Sequence, residues 1–245
     1  MSQAETILIR MMETTPRPLL PGSVASQLAA LLDGHYRGFA VVDLETTSLS
    51  AEDGRILEVG VVLLSPSFTI EGTWNQLLNP GAGHDVGPTH IHHITEADVA
   101  DAPTFAQIAG TLTELLQDRI LIAHSSRFDS SFLQAAFTQT EFWPWPGLSQ
   151  APALCTLTEA KHFIQTPSRA LTACCEFLGI PLKHHHRALH DADATALLAA
   201  AYLQIAGFNY VMPWSGEADT SSSLPASDLL SRLPESWAKT LRQVS

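Results

Sequence analysis

The chain has 245 residues, 45% hydrophobic and 16% charged, a composition that suits one large domain, or one domain with appendages, around a real core. Its 13 basic and 25 acidic residues leave a net charge of −12, which argues against a broad nucleic-acid-coating surface but leaves room for a local cleft where bound cations offset the acidic charge. The three cysteines, Cys155, Cys174 and Cys175, include no CxxC pair, which argues against a cysteine-based zinc site and for a reducing, cytoplasmic setting.

Residues 1–36 read as an N-terminal extension. The chain start lacks the basic-then-apolar pattern of a secretory leader. No apolar run approaches the ~20 residues that span a bilayer, so no membrane partner is expected. Ser23 is placed to cap a short helix through Leu32, with Leu28, Leu31 and Leu32 on one face and Asp33-Gly34 at its end. Three strands then follow over residues 37–43, 55–64 and 69–79, joined by short turns as in an antiparallel meander. Residues 104–116 carry Phe105, Ile108, Leu112, Leu115 and Leu116 at helical spacing, and residues 120–123 form a short apolar strand. Ser125 is placed to cap a helix through Phe137, and the aromatic and proline-rich residues 142–147 break the pattern as a loop. A helix capped by Ser168 is stopped by Gly179, and a long Ala- and Leu-rich helix over residues 189–205 is stopped by Gly207. The order β-β-β-α-β-α-α-α predicts an α/β protein whose mixed sheet, three antiparallel strands plus parallel ones, is flanked by helices over residues 37–207. Residues 208–245 form a C-terminal tail. Within it, residues 219–223 read as a polar linker, and Leu229, Leu230, Leu233, Trp237 and Leu241 recur at helical spacing. That amphipathic segment is expected to dock on its own domain, with a partner protein as the alternative surface.

The chemistry concentrates at Val41-Val42-Asp43-Leu44-Glu45-Thr46-Thr47. Residues two apart on a strand share a face, so Asp43 and Glu45 stand side by side at one end of the sheet. Two like charges so placed repel unless a cation neutralises them. The pair reads as half of a metal site, with a solvated strand end or a salt-bridged pair as alternatives. Asp129 lies about one turn inside the helix after residues 120–123, on the face that Leu133 packs, where an unpaired charge is costly. Asp191 falls in the first turn of the long helix, a position the helix dipole alone favours for acids. Asp193, about 200° further round, points away if Asp191 points inward. His184, His185, His186 and His190 crowd together, which reads as a solvated loop, an adventitious metal binder or a metal carrier.

Asp43-x-Glu45 on a first strand, Asp129 in an AHxxxFD segment and His186-x4-Asp191, in this order, resemble the motifs of the DEDDh class of 3′–5′ exonucleases. That class includes the proofreading epsilon subunit of bacterial DNA polymerase III, ribonuclease T and oligoribonuclease. Asn79-Pro80, Ile91-His92-His93-Ile94-Thr95 and Ala102-Pro103-Thr104-Phe105 are similar to its NPG, IHGIT and DAPxF stretches, so the likeness runs from about Arg37 to Ala206. The resemblance implies a ribonuclease H-like fold and two divalent cations, Mg²⁺ or Mn²⁺. Asp43 would bridge both, Glu45 and Asp191 would hold the first, Asp129 the second, and His186 would be the general base. It also implies release of nucleoside monophosphates from single-stranded or frayed ends, DNA ahead of RNA. Thr46, Thr47 and Leu49 would line the pocket for the terminal nucleotide, with turn chemistry and core packing as their ordinary roles. Arg127, Arg169 and Arg187 lie near motif segments and are candidates for phosphate contact or for plain surface. Expected partners are single-stranded or frayed DNA, RNA second, a polymerase or sliding clamp through the terminal extensions, and a second copy of the chain. Residues 27–32 have a faint likeness to a clamp-binding peptide but fit an amphipathic helix better. Ser48 and His93 replace the usual Gly, and Ser125 the usual Asn. Other readings are an interaction protein with weak catalysis and an RNA-trimming enzyme like oligoribonuclease.

Overall fold

A computed structural model describes residues 15–32, 36–140, 153–182, 185–207 and 233–244. Asp33, Gly34, His184, residues 142–147 and 219–223, Leu229 and Leu230 lie outside them. The strands are β1 (Arg17–Pro18), β2 (Phe39–Thr46), β3 (Ile56–Leu64), β4 (Thr69–Leu77), β5 (Ile120–Ala123) and β6 (Ala153–Cys155). The helices are α1 (Gly22–Leu32), the short α2 (Thr89–His92) and α3 (Glu96–Val99), α4 (Phe105–Leu116) and α5 (Ser126–Phe137), then α6 (Thr156–Phe163), α7 (Leu171–Leu178), α8 (Ala188–Gly207) and α9 (Glu235–Val244). The sheet runs β1-β4-β3-β2-β5-β6. β1–β4, β3–β4 and β2–β3 pair antiparallel, while β2–β5 and β5–β6 pair parallel, so the expected mixed sheet is present.

Several boundaries differ from expectation for identifiable reasons. β2 begins at Phe39, because Gly38 turns the chain at φ +121° against the Leu64 carbonyl and ladder pairing starts with Phe39 opposite Leu64. It continues to Thr46, so the Asp43–Glu45 pair lies within the paired strand, opposite Gly60 and Glu58. α1 already includes Gly22, and the Pro21 carbonyl accepts the Ala25 N–H at 2.9 Å, which leaves Ser23 inside the helix. α7 starts at Leu171, because the Ser168 hydroxyl instead accepts the Ala170 N–H at 3.2 Å in a turn. β1, β6, α2 and α3 are two to four residues long, too short for a period to reveal them. The eight-residue α6 opens on Thr156 and Thr158 and was also unforeseen.

Strand alternation sorts the core into two faces. Phe39 and Val41 of β2, with Val62 and Leu64 of β3, pack against α1, α6, α7, α8 and α9. Ala40, Val42 and Leu44, with Val59, Val61 and Leu63, pack against α4 and α5. Asp43 and Glu45 continue the first row and therefore face α8. That helix is buried on nearly every side, and its many alanines let it lie close to the sheet. Its first residues rest on Gly60, where a Cβ would overlap the backbone of Ala188 and Leu189. Leu28, Leu31 and Leu32 of α1 and Trp237 and Leu241 of α9 belong to the same core, and Gln27 is buried beside them. The Phe163 and Tyr202 rings stack at 4.4 Å, with Trp237 a further 6.1 Å from Tyr202. Among the described residues no helix is long and apolar enough to cross a membrane.

Because Gly60 sets how closely α8 approaches β3, Gly60→Ala is expected to lower unfolding stability by about 1–3 kcal/mol through overpacking. Urea denaturation of the variant beside the parent checks this, and an unchanged midpoint would contradict the close contact.

Candidate active site

Three elements deliver the acidic residues. β2 presents Asp43 and Glu45 on its α8 face, the first turn of α8 brings in Asp191, and the first turn of α5, directly after β5, brings in Asp129. Carboxylate oxygens of Asp43, Glu45 and Asp191 lie within 4.8 Å of one another. Asp129 stands outside that trio but close enough for its charge to act on Asp43. Glu45, Asp129 and Asp191 are buried, and Asp43 is half-buried. Asp193 points the other way and pairs with Arg17 at 2.7 Å, as its spacing predicts.

Burial, then Asp129, Asp191, Glu45 and Glu58, hold the Asp43 carboxyl well above the usual carboxylate range. Burial, then Asp191 and Glu58, push Glu45 up to about 8 against the lowering effect of Arg187. Burial and Glu45 raise Asp129. Among the described residues, no ion pair includes Asp43, Glu45 or Asp129. Buried, mutually repelling, all-oxygen donors of this kind fit a hard divalent cation.

Sequence reasoning missed Glu58. It is fully buried on β3 opposite Glu45. Its carboxylate accepts hydrogen bonds from Asn75 Nδ2 at 2.8 Å, from the Arg187 guanidinium at 3.1–3.3 Å and from the Ala188 N–H at 3.2 Å. This ties the start of α8, and with it Asp191, to the sheet. Arg187 is accordingly paired. The available signal was a charged residue inside an otherwise apolar strand, which burial tolerates only with partners. Arg127 and Arg169 are exposed.

The histidines separate by role. His124 has Thr156 Oγ1 and the Arg169 carbonyl at 2.9 Å from its two ring nitrogens, and His92 bridges the Val86 carbonyl and the Ile94 N–H, so both hold loops together. His186 adopts φ +68°, which lets its backbone N–H donate to Asp191 Oδ2 at 3.1 Å. Its imidazole stacks on His185 at 3.7 Å, and burial and His185 lower its pKa, favouring the neutral ring. The ring that touches Asp191 belongs to His185, whose Nδ1 lies 2.8 and 3.1 Å from the two carboxylate oxygens.

In the turn after β2, the Thr46 hydroxyl donates to the Ser48 carbonyl at 2.7 Å, and the Thr47 hydroxyl accepts the Arg55 N–H at 3.0 Å. Leu49 is 90% exposed, which rules out core packing for it. Ser48 does not have positive φ, so its position needs no glycine; His93 does, at φ +58°. Ser125 precedes α5 without a side-chain cap bond.

A family model described as exonuclease (RNase_T) matches residues 40–199, a span that contains Asp43, Glu45, Asp129, His186 and Asp191. The chain is 31% identical over 175 residues to the DNA polymerase III PolC-type of Caldanaerobacter subterraneus subsp. tengcongensis, covering 71% of this chain but only 12% of that protein. The solved structure of Exonuclease X in complex with 5′ overhanging duplex DNA is similar at a TM-score of 0.55 and 25% identity, covering 70% of this chain and 94% of that one. The nuclease domain of 3′hExo, a DEDDh family member bound to rAMP, matches at a TM-score of 0.56 and 23% identity, covering 69% and 93%. The expected ribonuclease H-like fold is the fold observed.

The raised carboxylates set a pH dependence of stability. From about pH 4.5 up to about 8, the folded cation-free chain keeps a proton on Glu45 that the unfolded chain has released, so folding loses stability as pH rises. The melting temperature without divalent cation is therefore expected to fall across that window. Added Mg²⁺ should restore it at the alkaline end, and Asp43→Asn should flatten the slope. A cation-free melting temperature that stays level or climbs would refute the strained cage.

Proposed function

The chain belongs to the exonuclease family of nucleic-acid hydrolases, and from that premise we propose that it removes nucleoside monophosphates from the 3′ ends of single-stranded or frayed nucleic acid, DNA ahead of RNA. The observation that carries this reading is the convergence of Asp43, Glu45 and Asp191 oxygens within 4.8 Å, with Asp129 alongside. These four residues, Asp43, Glu45, Asp129 and Asp191, would hold two divalent cations, Mg²⁺ or Mn²⁺. Such ions, when bound, neutralise the phosphate and acidify water.

The remaining work falls to the chain itself. His186, its ring kept neutral, takes the proton of the attacking water. The water oxygen bonds to phosphorus as the bond to the O3′ of the preceding nucleotide breaks, and that O3′ leaves with a proton from solvent. Leu49 offers an apolar face against the terminal base, which must leave its stack to reach the carboxylates, hence the preference for single strands and frayed ends. Thr46 and Thr47, their hydroxyls engaged in the turn, present the backbone beside the 3′ end. DNA is placed first on the likeness to a PolC-type polymerase. The rAMP bound to 3′hExo makes RNA the necessary comparison. Residues 37–207 are the catalytic unit. Contacts with a polymerase or a sliding clamp fall to residues 1–36 and 208–245 outside the buried faces of α1 and α9, and a second copy of the chain is a further partner.

Digestion of 5′-labelled single-stranded DNA and RNA, with and without Mg²⁺ or Mn²⁺, tests this. A shortening ladder and released mononucleotides are expected, abolished by chelator and by Asp43→Ala. Absence of cation-dependent mononucleotide release from both substrates would overturn the proposal. His186→Ala is expected to lower turnover by about 10²–10⁴ with the fold intact. Near-normal rates there, with loss in His185→Ala, would overturn the assignment of the base.

A further inference from the structure

Asp191 faces two different sets of donors. On one side are the oxygens of Asp43 and Glu45; on the other are the rings of His185 and His186, each with a nitrogen within 4.8 Å of the Asp191 carboxylate and of each other. Of the second set, cleavage as proposed uses the His186 ring alone. His185 takes no part in it, yet its ring makes the shortest contact to Asp191, 2.8 Å from Nδ1 to Oδ2. We propose that His185, His186 and Asp191 form a binding site for one borderline-soft divalent cation of the zinc class, with a donor set distinct from the carboxylate cage and sharing only Asp191 with it.

The donor chemistry makes the choice of ion. Two imidazole nitrogens and one carboxylate oxygen suit Zn²⁺, which binds such groups at about 2.0–2.2 Å, whereas Mg²⁺ prefers oxygen and gives up its waters reluctantly. The ligand separations are close to those required. Tetrahedral bonds of that length put donor atoms about 3.3 Å apart, and His185 Nδ1 now sits 2.8 and 3.1 Å from the two Asp191 oxygens. The direct contact between His185 Nδ1 and the Asp191 carboxylate therefore occupies the place the cation takes, and binding displaces it. The site is reachable: the His185 side chain is 33% exposed, while Asp191 at 6% is the buried anchor. Asp191 is also held by the His186 N–H at 3.1 Å, which fixes the carboxylate between the two histidines. Three protein donors leave one position for water or a phosphate oxygen. A cation held here takes up both Asp191 and His186, so it opposes cleavage.

Calorimetric titration with Zn²⁺, and visible absorption with Co²⁺ as its spectroscopic stand-in, test the site on the full chain. One ion per chain is expected, with the same affinity in Asp43→Ala, because the carboxylate cage is not used. His185→Asn and His186→Asn should each weaken binding by at least about tenfold. No Zn²⁺ binding, unchanged affinity in His185→Asn, or loss of binding in Asp43→Ala would overturn the proposal, the last two by assigning the ion to other histidines or to the cage. None of these readouts uses cleavage, so they stand apart from the fate of the exonuclease reading.

Discussion

The structure around this site depends on holding Asp43, Glu45, Asp129 and Asp191 together against their own repulsion. A like-charge pair 4 Å apart near a protein surface costs about 4 kcal/mol, a large fraction of the 5–15 kcal/mol that stabilises a typical domain. The chain meets this cost in part by protonation, as the raised carboxyls indicate, and the cations proposed for the site would relieve more of it. Rigid anchoring does the remainder, since carboxylates on flexible loops would simply move apart.

The anchoring is built on β2 and β3. Their inner rows are apolar on both faces, so these strands cannot slide without moving buried side chains to the wrong side. Asp43 and Glu45 inherit that rigidity by lying within the paired part of β2. Asp191 is brought to them by α8, whose first residues are fixed twice: by close backbone approach at Gly60 and by the bonds of Glu58 to Arg187 and to the Ala188 N–H. Glu58 thus plays two opposed parts. It adds negative charge beside Glu45, and it holds the cation Arg187 that partly offsets it. Removing either partner would leave a charge without its complement, which is more costly than never having had the pair.

Two departures from the familiar motifs have different physical meanings. Ser48 stands where glycine is usual, but the backbone there needs no positive φ, and its hydroxyl joins the turn by accepting from the Ser50 N–H. His93 also replaces glycine, and there the left-handed conformation is present and is borne by a side-chain-bearing residue at the end of α2. Such a substitution carries strain of about 1–2 kcal/mol in a general L-residue. His186 carries the same kind of conformation, next to the carboxylate it contacts. One-letter comparison alone does not separate the harmless replacement from the strained one, because the difference lies in a dihedral angle.

The sequence by itself determined the strand with its two carboxylates, the core-facing Asp129, the opposition of Asp191 and Asp193 on one helix and the helix-flanked mixed sheet. These follow from periods of two and 3.6, which are local rules. Tertiary structure alone decided that Glu58 lies opposite Glu45, that Gly60 receives the start of α8, and that Arg187 is bound rather than free. The first is a fact of strand register, and the other two are facts of approach between residues more than a hundred positions apart. It also decided that His185, not His186, lays its ring against Asp191, because neighbouring histidines in one run differ only in backbone direction. The threonine hydroxyls after β2 belong to the same class: their types suit a substrate or a turn equally, and the positions of Ser48 and Arg55 engaged them in the turn.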